Sequence, residues 1–266
     1  MENRPSGRHR ASGPRRIAIA GATGRMGRAV ARVAPEHHCA IVGAFAAKID
    51  AGTMIEGVEV TDDPNVAFAN AECVIDFSHP EAVASLARAC TERKIPLVSG
   101  TTNLNDEAQH AFEALAKVSA VLWAPNMSLG VQLLAELVEQ AVRRLGLGYE
   151  VEIVETHHNK KIDAPSGTAK RLIDAVRAGT LSDESLAHGR EGNVGARKRG
   201  EIGVHAVRGG DVIGDHVVHL FGQGERLELT HRATSRDLFA HGALRAACFL
   251  VTKHPGRYSI KDLLGG

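Results

Sequence analysis

The chain has 266 residues, 44% of them hydrophobic, and a formal net charge of +1 at pH 7. That is enough for one large cored domain or two modest ones, and the near-neutral balance argues against a dedicated nucleic-acid surface. No apolar run is long enough to cross a membrane. Cys39, Cys73, Cys90 and Cys248 are scattered without C-x-x-C spacing, which favours reduced thiols in a cytoplasmic protein over disulfides or a zinc site. Residues 1–15, rich in Arg, Ser, Gly and Pro, read as a disordered tail, neither signal peptide nor anchor.

Arg16-Ile17-Ala18-Ile19-Ala20 reads as a short buried parallel strand, followed by the turn Gly21-Ala22-Thr23-Gly24-Arg25-Met26-Gly27 and a helical run, Arg28–Val33. This is the order of a dinucleotide-binding unit. Gly21 allows the tight turn, Gly24 lets backbone approach a pyrophosphate, and Gly27 lets the helix pack close to the strand, while the helix N-terminus offers its amides to phosphate. The spacing is G-x-x-G-x-x-G, not the common G-x-G-x-x-G, so the flanking strand and helix carry the assignment. Arg25 is a candidate phosphate contact, although an arginine in a first helical turn is by default a surface charge.

The second strand, Ala40–Phe45, ends in Ala46-Ala47-Lys48 with no acid at its tip. A carboxylate there would bond the ribose 2′-hydroxyl; Lys48 can instead attract the 2′-phosphate of NADP, with Asp50 only slightly further on. Three more apolar runs, Cys73–Ser78, Pro96–Thr102 and Ala120–Asn126, end in small polar residues and are separated by helical stretches. Their ends line one crevice. Gly100-Thr101-Thr102 and Ala124-Pro125-Asn126-Met127 are therefore candidates to touch the nicotinamide half of a cofactor, with ordinary strand-to-helix turns as the open alternative.

After Asn126 the pattern changes. Ser128 caps a long amphipathic helix to Leu145, and then strands predominate: Glu150–Thr156, Gly203–Arg208, Val212–Phe221 and Arg226–Arg232. A last helix, Asp237–Lys253, returns the chain to the first domain. The fold class expected is α/β: a Rossmann-type dinucleotide-binding domain (16–127 and 236–266) plus an α+β substrate and oligomerisation domain with a mixed sheet (128–235).

The densest chemistry lies in His157-His158-Asn159-Lys160-Lys161-Ile162-Asp163-Ala164-Pro165-Ser166-Gly167-Thr168-Ala169, at the C-terminal end of an alternating strand. Ser166 is a helix N-cap, so the amides of Gly167 and Thr168 face whatever precedes them and suit a carboxylate. Histidines and a lysine beside that anion site supply general acid and base groups. The basic, glycine-rich stretch Gly189–Gly200 reads as a mobile loop whose cations are either substrate contacts or simply solvated. His216 and His219 point to opposite faces of a strand and cannot share an ion, and no metal site is expected.

These motifs, with Gly200-Glu201-Ile202-Gly203 and Arg208–His216, resemble the 4-hydroxy-tetrahydrodipicolinate reductases, long called dihydrodipicolinate reductases, of bacterial lysine and diaminopimelate synthesis. The likeness covers nearly everything after the tail. It implies that NADPH and/or NADH gives hydride to a cyclic imine dicarboxylate with loss of water. It further implies that His157 is proton donor and acceptor and Lys161 proton donor, with His158, Ser166, Gly167 and Thr168 binding substrate. Cofactor contacts come from Gly21, Ala22, Thr23, Gly24, Arg25 and Met26 and from the Gly100 and Ala124 turns, and the second domain's sheet builds a homotetramer. Two departures stand out: Ala47-Lys48 replaces the acid-then-base pair common in the family, which leaves dual cofactor use open, and the segment after Lys48 is short. Two other classes remain open, a different nicotinamide dehydrogenase and a non-catalytic dinucleotide or metabolite sensor. The first has no evident need for the His157–Thr168 block, and the second could lose His157 or Lys161.

Overall fold

The computed structural model describes residues 13–47 and 52–265. Lys48, the expected 2′-phosphate contact, its neighbour Asp50 and most of the expected tail lie outside the described residues. In chain order the elements are β1 (Arg15–Ala20), α1 (Arg25–Val33), β2 (Cys39–Phe45), β3 (Met54–Ile55), β4 (Val58–Thr61), α2 (Pro64–Ala67), β5 (Cys73–Asp76), α3 (Pro80–Arg93), β6 (Leu97–Ser99), α4 (Asp106–Ala116) and β7 (Ala120–Trp123). There follow α5 (Leu129–Leu145), β8 (Glu150–His157), α6 (Gly167–Thr180), β9 (Leu186–Ala187), β10 (Ile202–Arg208), β11 (Gly214–Gly222), β12 (Glu225–Ala233), α7 (Asp237–Leu250), β13 (Gly256–Tyr258) and α8 (Ile260–Leu264). They form two compact units, one running to Met127 and including Phe239–Ser259, the other Ser128–Leu238 with the stretch from Ile260 onward.

The first unit holds a sheet in the order β13-β7-β6-β5-β1-β2-β4-β3, parallel at every pair except β3–β4. Chain order turns back between β1 and β5, the switch point where α/β sheets open a crevice at the strands' C-terminal ends. Ile17–Ala20 of β1 and all of β5 and β6 are buried, the continuous apolar pattern of parallel strands covered on both faces. Phe68, Leu86, Phe112 and Leu115 pack around Val74, Leu97 and Val121 in the core. The helices begin at chemically marked positions. Pro80 opens α3, and the Asn105 side chain accepts the Ala108 amide at the head of α4.

The second unit holds a mixed sheet, β12-β11-β8-β10-β9, with β8 parallel to β10 and antiparallel to β11. Leu134 and Val138 of α5 and Leu172, Ile173 and Val176 of α6 bury themselves against Val151, Ile153, Ile202, Val204, Val218 and Leu220. The period of two along β8 thus puts Glu155 and His157 on the helix-covered face, in line with Val151 and Ile153. Register sets their neighbours: Arg208 of β10 is opposite His157, and His216 of β11 is opposite Glu155. At the C-terminus, Phe239–Ser259 group with the first unit, whereas α8 packs on α5 in the second. No helix of the described residues is long and apolar enough to cross a membrane.

Candidate active site

In the first unit the glycine turn is forced by contact. Gly21 has φ +77°, and a Cβ there would lie 2.4 Å from the Phe77 carbonyl oxygen, so the turn leaving β1 presses on the chain leaving β5. Gly21 and Ala22 both donate to the Phe45 carbonyl at 3.0 Å. The α1 N-cap is Gly24, which offers no side-chain acceptor, and no acid stands in the first turn, so the helix head is left for an external anion. Arg25 is exposed beside it, Thr23 and Met26 are half-buried, and Ala22 is buried. These residues fit the pyrophosphate of a dinucleotide.

Asp76, the last residue of β5, is fully buried and organises the neighbouring turns. Its carboxylate accepts the Ser99 hydroxyl at 2.6 Å, the Thr101 hydroxyl at 2.9 Å and the Ser78 amide at 2.9 Å. Gly100 donates to the Asp76 carbonyl at 2.9 Å, and the Trp123 indole donates to the Thr101 carbonyl at 2.9 Å. Ala124 donates to the Ser99 carbonyl at 3.0 Å. The turns carrying Gly100-Thr101-Thr102 and Ala124-Pro125-Asn126-Met127 are therefore fastened side by side, with Thr102 and Pro125 exposed and Thr101, Ala124 and Met127 buried.

In the second unit, β8 ends at His157, which is buried. Its Nδ1 stands 2.5 Å from Glu155 Oε2, and Glu155 in turn accepts two bonds from the Arg208 guanidinium, at 2.7 and 2.8 Å, and the Ser166 amide at 3.0 Å. Burial alone would raise the Glu155 carboxyl; Arg208, His157 and the Ser166 amide more than offset it and hold the group below the usual carboxylate range. His216 is 3% exposed, its Nε2 lies 3.1 Å from Ser166 Oγ, and burial together with nearby His157 pushes its pKa down to about 4. It is neutral at physiological pH. Its Nδ1 is a buried atom without a hydrogen-bond partner among the described residues.

The chain beyond His157 is latched to the β10–β11 connection. His158 donates to the Val212 carbonyl at 2.7 Å, Asn159 to Gly210 at 3.2 Å, and Gly209 to the His157 carbonyl at 2.9 Å. Lys161 pairs with Asp163 at 2.7 Å, and the Asp163 carbonyl is held by Arg208 at 2.8 Å. Burial, then the Arg236 charge, lowers the half-buried His158 below its ordinary value. Ser166 caps α6 by accepting the Ala169 amide at 3.1 Å, and Gly167 and Thr168 form the first turn of the helix directly behind that cap. No acid occupies that first turn, and a Cβ on Gly167 would meet open space. The titratable groups His157, His158 and Lys161 and a helix head free of acidic side chains thus lie in one unit.

Sequence reasoning did not single out Asp76, Glu155 or Arg208 as site residues. It read the cations of 189–200 as possible substrate contacts, but Arg190 and Arg197 are ion-paired to Glu152, and Arg190 also to Glu201. Among the described residues no cluster of His, Cys, Asp and Glu could hold a metal ion.

Residues 15–127 match the family described as dihydrodipicolinate reductase, N-terminus, and residues 130–264 the family described as dihydrodipicolinate reductase, C-terminus. The 4-hydroxy-tetrahydrodipicolinate reductase of Halorhodospira halophila is 46% identical over 94% of this chain and 98% of its own length. That of Anaeromyxobacter sp. is 47% identical over 94% and 97%. Among solved structures, the dipicolinate-bound dihydrodipicolinate reductase from Paenisporosarcina sp. TG-14 superposes with a TM-score of 0.76 at 25% identity, covering 92% of this chain and 97% of that one. Matches over both units, in order and nearly end to end, mean that the chain belongs to the dihydrodipicolinate reductase family.

Proposed function

We propose that this chain is an NAD(P)H-dependent reductase converting 4-hydroxy-tetrahydrodipicolinate to tetrahydrodipicolinate in lysine and diaminopimelate biosynthesis, with His157 as proton donor and acceptor and Lys161 as proton donor. The observation that carries the residue assignment is the buried His157 imidazole, held by a carboxylate, in the same unit as the acid-free head of α6. Bound NADPH or NADH supplies the hydride. Gly21, Ala22, Thr23, Gly24, Arg25 and Met26 hold its pyrophosphate against α1, and the turns at Gly100 and Ala124 border its nicotinamide. The amides of Gly167 and Thr168 take a substrate carboxylate, with Ser166 setting the helix head and His158 contacting the ring. Lys161 delivers a proton to the ring atom that gains electron density, and His157 moves a proton as water leaves.

A small cyclic dicarboxylate agrees with the dipicolinate bound to the Paenisporosarcina relative. We also place the enzyme in the cytoplasm as a homotetramer joined through the sheet of the second unit. Free thiols suit a reducing compartment, and the sheet face opposite α5 and α6 presents Val207 at 46% exposure. Light scattering on the purified chain tests the assembly, and a monomer would refute it. Activity is tested by NADH and NADPH oxidation with substrate generated in place from pyruvate and aspartate semialdehyde. His157→Gln and Lys161→Ala should each depress turnover by about a hundredfold or more, since positioned proton transfer contributes that much. Unchanged turnover in both removes the catalytic assignment.

A further inference from the structure

We infer that Glu155 is a positioning residue for His157: pinned by Arg208, it holds the imidazole through Nδ1–H and so leaves Nε2 as the atom that exchanges the proton. This rests on reading His157 as the proton-transfer group. Glu155 is fully buried, and an unpaired carboxylate there would be very costly. Around it stand the Arg208 guanidinium, bonded to both oxygens, and the Ser166 backbone amide, groups that can only donate. Both oxygens must therefore accept, and the group is an ionised, acceptor-only carboxylate. The third neighbour, His157 Nδ1 at 2.5 Å, then has to be the donor. The tautomer follows from chemistry rather than from placement of hydrogens: proton on Nδ1, lone pair on Nε2.

The surrounding groups agree. A Cβ on Gly214 would lie 3.0 Å from His157 Nε2, so the ring's other end abuts a residue with no side chain. Charged and titratable groups on this face include Arg208 from β10, His216 from β11, its cross-strand partner His231 from β12, and Lys161 and Asp163 from the segment beyond β8, with the Ser166 cap at the head of α6. His216, its ring centroid 5.2 Å from that of His157, is neutral and adds no competing charge. Arg208 does more than neutralise: by also binding the Asp163 carbonyl, it ties the carboxylate that orients His157 to the segment bearing Lys161. Proton transfer through Nε2 does not move a proton onto Glu155, which stays ionised while the ring is transiently an imidazolium.

Glu155→Gln keeps the shape but replaces an acceptor by an amide NH2, which favours the opposite tautomer. We expect kcat to fall about a hundredfold or more, with KM for NADPH changed by less than about twofold. In a His157→Gln background the same substitution should cost almost nothing further, because its target is gone; a residue needed only for folding would cost as much there as in the parent. Imidazole nitrogen NMR of the unmodified enzyme, assigned by difference against His157→Gln, needs no Glu155 variant and should show His157 protonated on Nδ1. An Nε2–H tautomer, or an undiminished loss in the double variant, overturns the inference. Should Glu155→Gln not fold, Glu155→Asp, which retains the charge, should fold, keep the Nδ1–H signal and lose less turnover. Loss of the Nδ1–H signal there also overturns it. If His157→Gln itself is fully active, the catalytic reading of the site has failed; if His157→Gln is crippled and Glu155→Gln is not, only the present inference has.

Discussion

At Gly27 an added Cβ would lie 2.3 Å from the Gly21 carbonyl oxygen and 2.7 Å from the Ala22 Cα, and the three nearest atoms are all backbone. Gly27→Ala therefore has to push α1 off the turn by about 0.7 Å to reach the 3.0 Å that real Cβ atoms keep. Overpacking of this kind costs about 1–3 kcal/mol, and a chain of this size loses roughly 2–4 °C of Tm per kcal/mol, so at a middle value of about 2 kcal/mol the unliganded protein should melt roughly 4–8 °C earlier. Gly24 is different. It sits in extended backbone at φ −72°, ψ 168°, and its Cβ would meet only the Gly21 oxygen, at 3.2 Å. Gly24→Ala should leave Tm within about 2 °C, helped by the reduced entropy of the unfolded chain. Yet it places a methyl on the N-cap an incoming pyrophosphate must approach, and losing one or two charge-assisted hydrogen bonds should weaken NADPH by about 10- to 100-fold. Thermal unfolding without ligand, followed by calorimetric titration with NADPH, separates the two roles. If both variants lose the same Tm and the same affinity, the division between packing and ligand approach is wrong.

That division could be read from sequence because it is local. A strand, a glycine turn and a helix lie within 20 residues, and the strand ends at Gly100 and Ala124 announce themselves by an apolar run breaking into small polar residues. The partners of the second site are not local. Glu155 meets Arg208 across 53 residues, through the parallel register of β8 with β10, and Asp76 meets Thr101 across 25. Period two on β8 does place Glu155 and His157 on one face, so an acid on an otherwise apolar face two residues before a candidate base was a usable signal. The donors that hold it were not visible without the pairing. The same applies to 189–200, where arginines that look available in sequence close on Glu152, an acid on the opposite face of β8. β3, β9 and β13, two or three residues each, carry too little periodicity to be recognised.

Cofactor choice follows from the tip of β2: with no acid at Ala47, NADPH should bind at least as well as NADH, and Lys48→Ala should weaken NADPH severalfold, less so at high salt, because a surface ion pair contributes about 1 kcal/mol or less. Titrations in which both cofactors weaken alike would refute that role for Lys48. The Glu152 cluster makes a prediction about stability against pH. Glu152 accepts from Arg190 at 2.9 and 3.1 Å, from Arg197 at 3.0 Å and from His205 at 2.7 Å; burial alone would raise it, but these donors bring it down to about 2 from an ordinary 4.5. That interval corresponds to about 3 kcal/mol at 1.36 kcal/mol per unit, and solvent screening of a cluster at the surface reduces it to about 1–2. A carboxyl that ionises more readily folded than unfolded stabilises fully above its unfolded value, so the contribution is complete above about pH 4.5 and drains away as pH falls towards 2. Glu152→Gln should accordingly cost about 1–2 kcal/mol in urea unfolding at pH 7, with the gap to the parent narrowing as the pH drops below 4.5. A gap that holds its size into the acid range, or is absent at neutral pH, would show that these ion pairs do not stabilise the second unit.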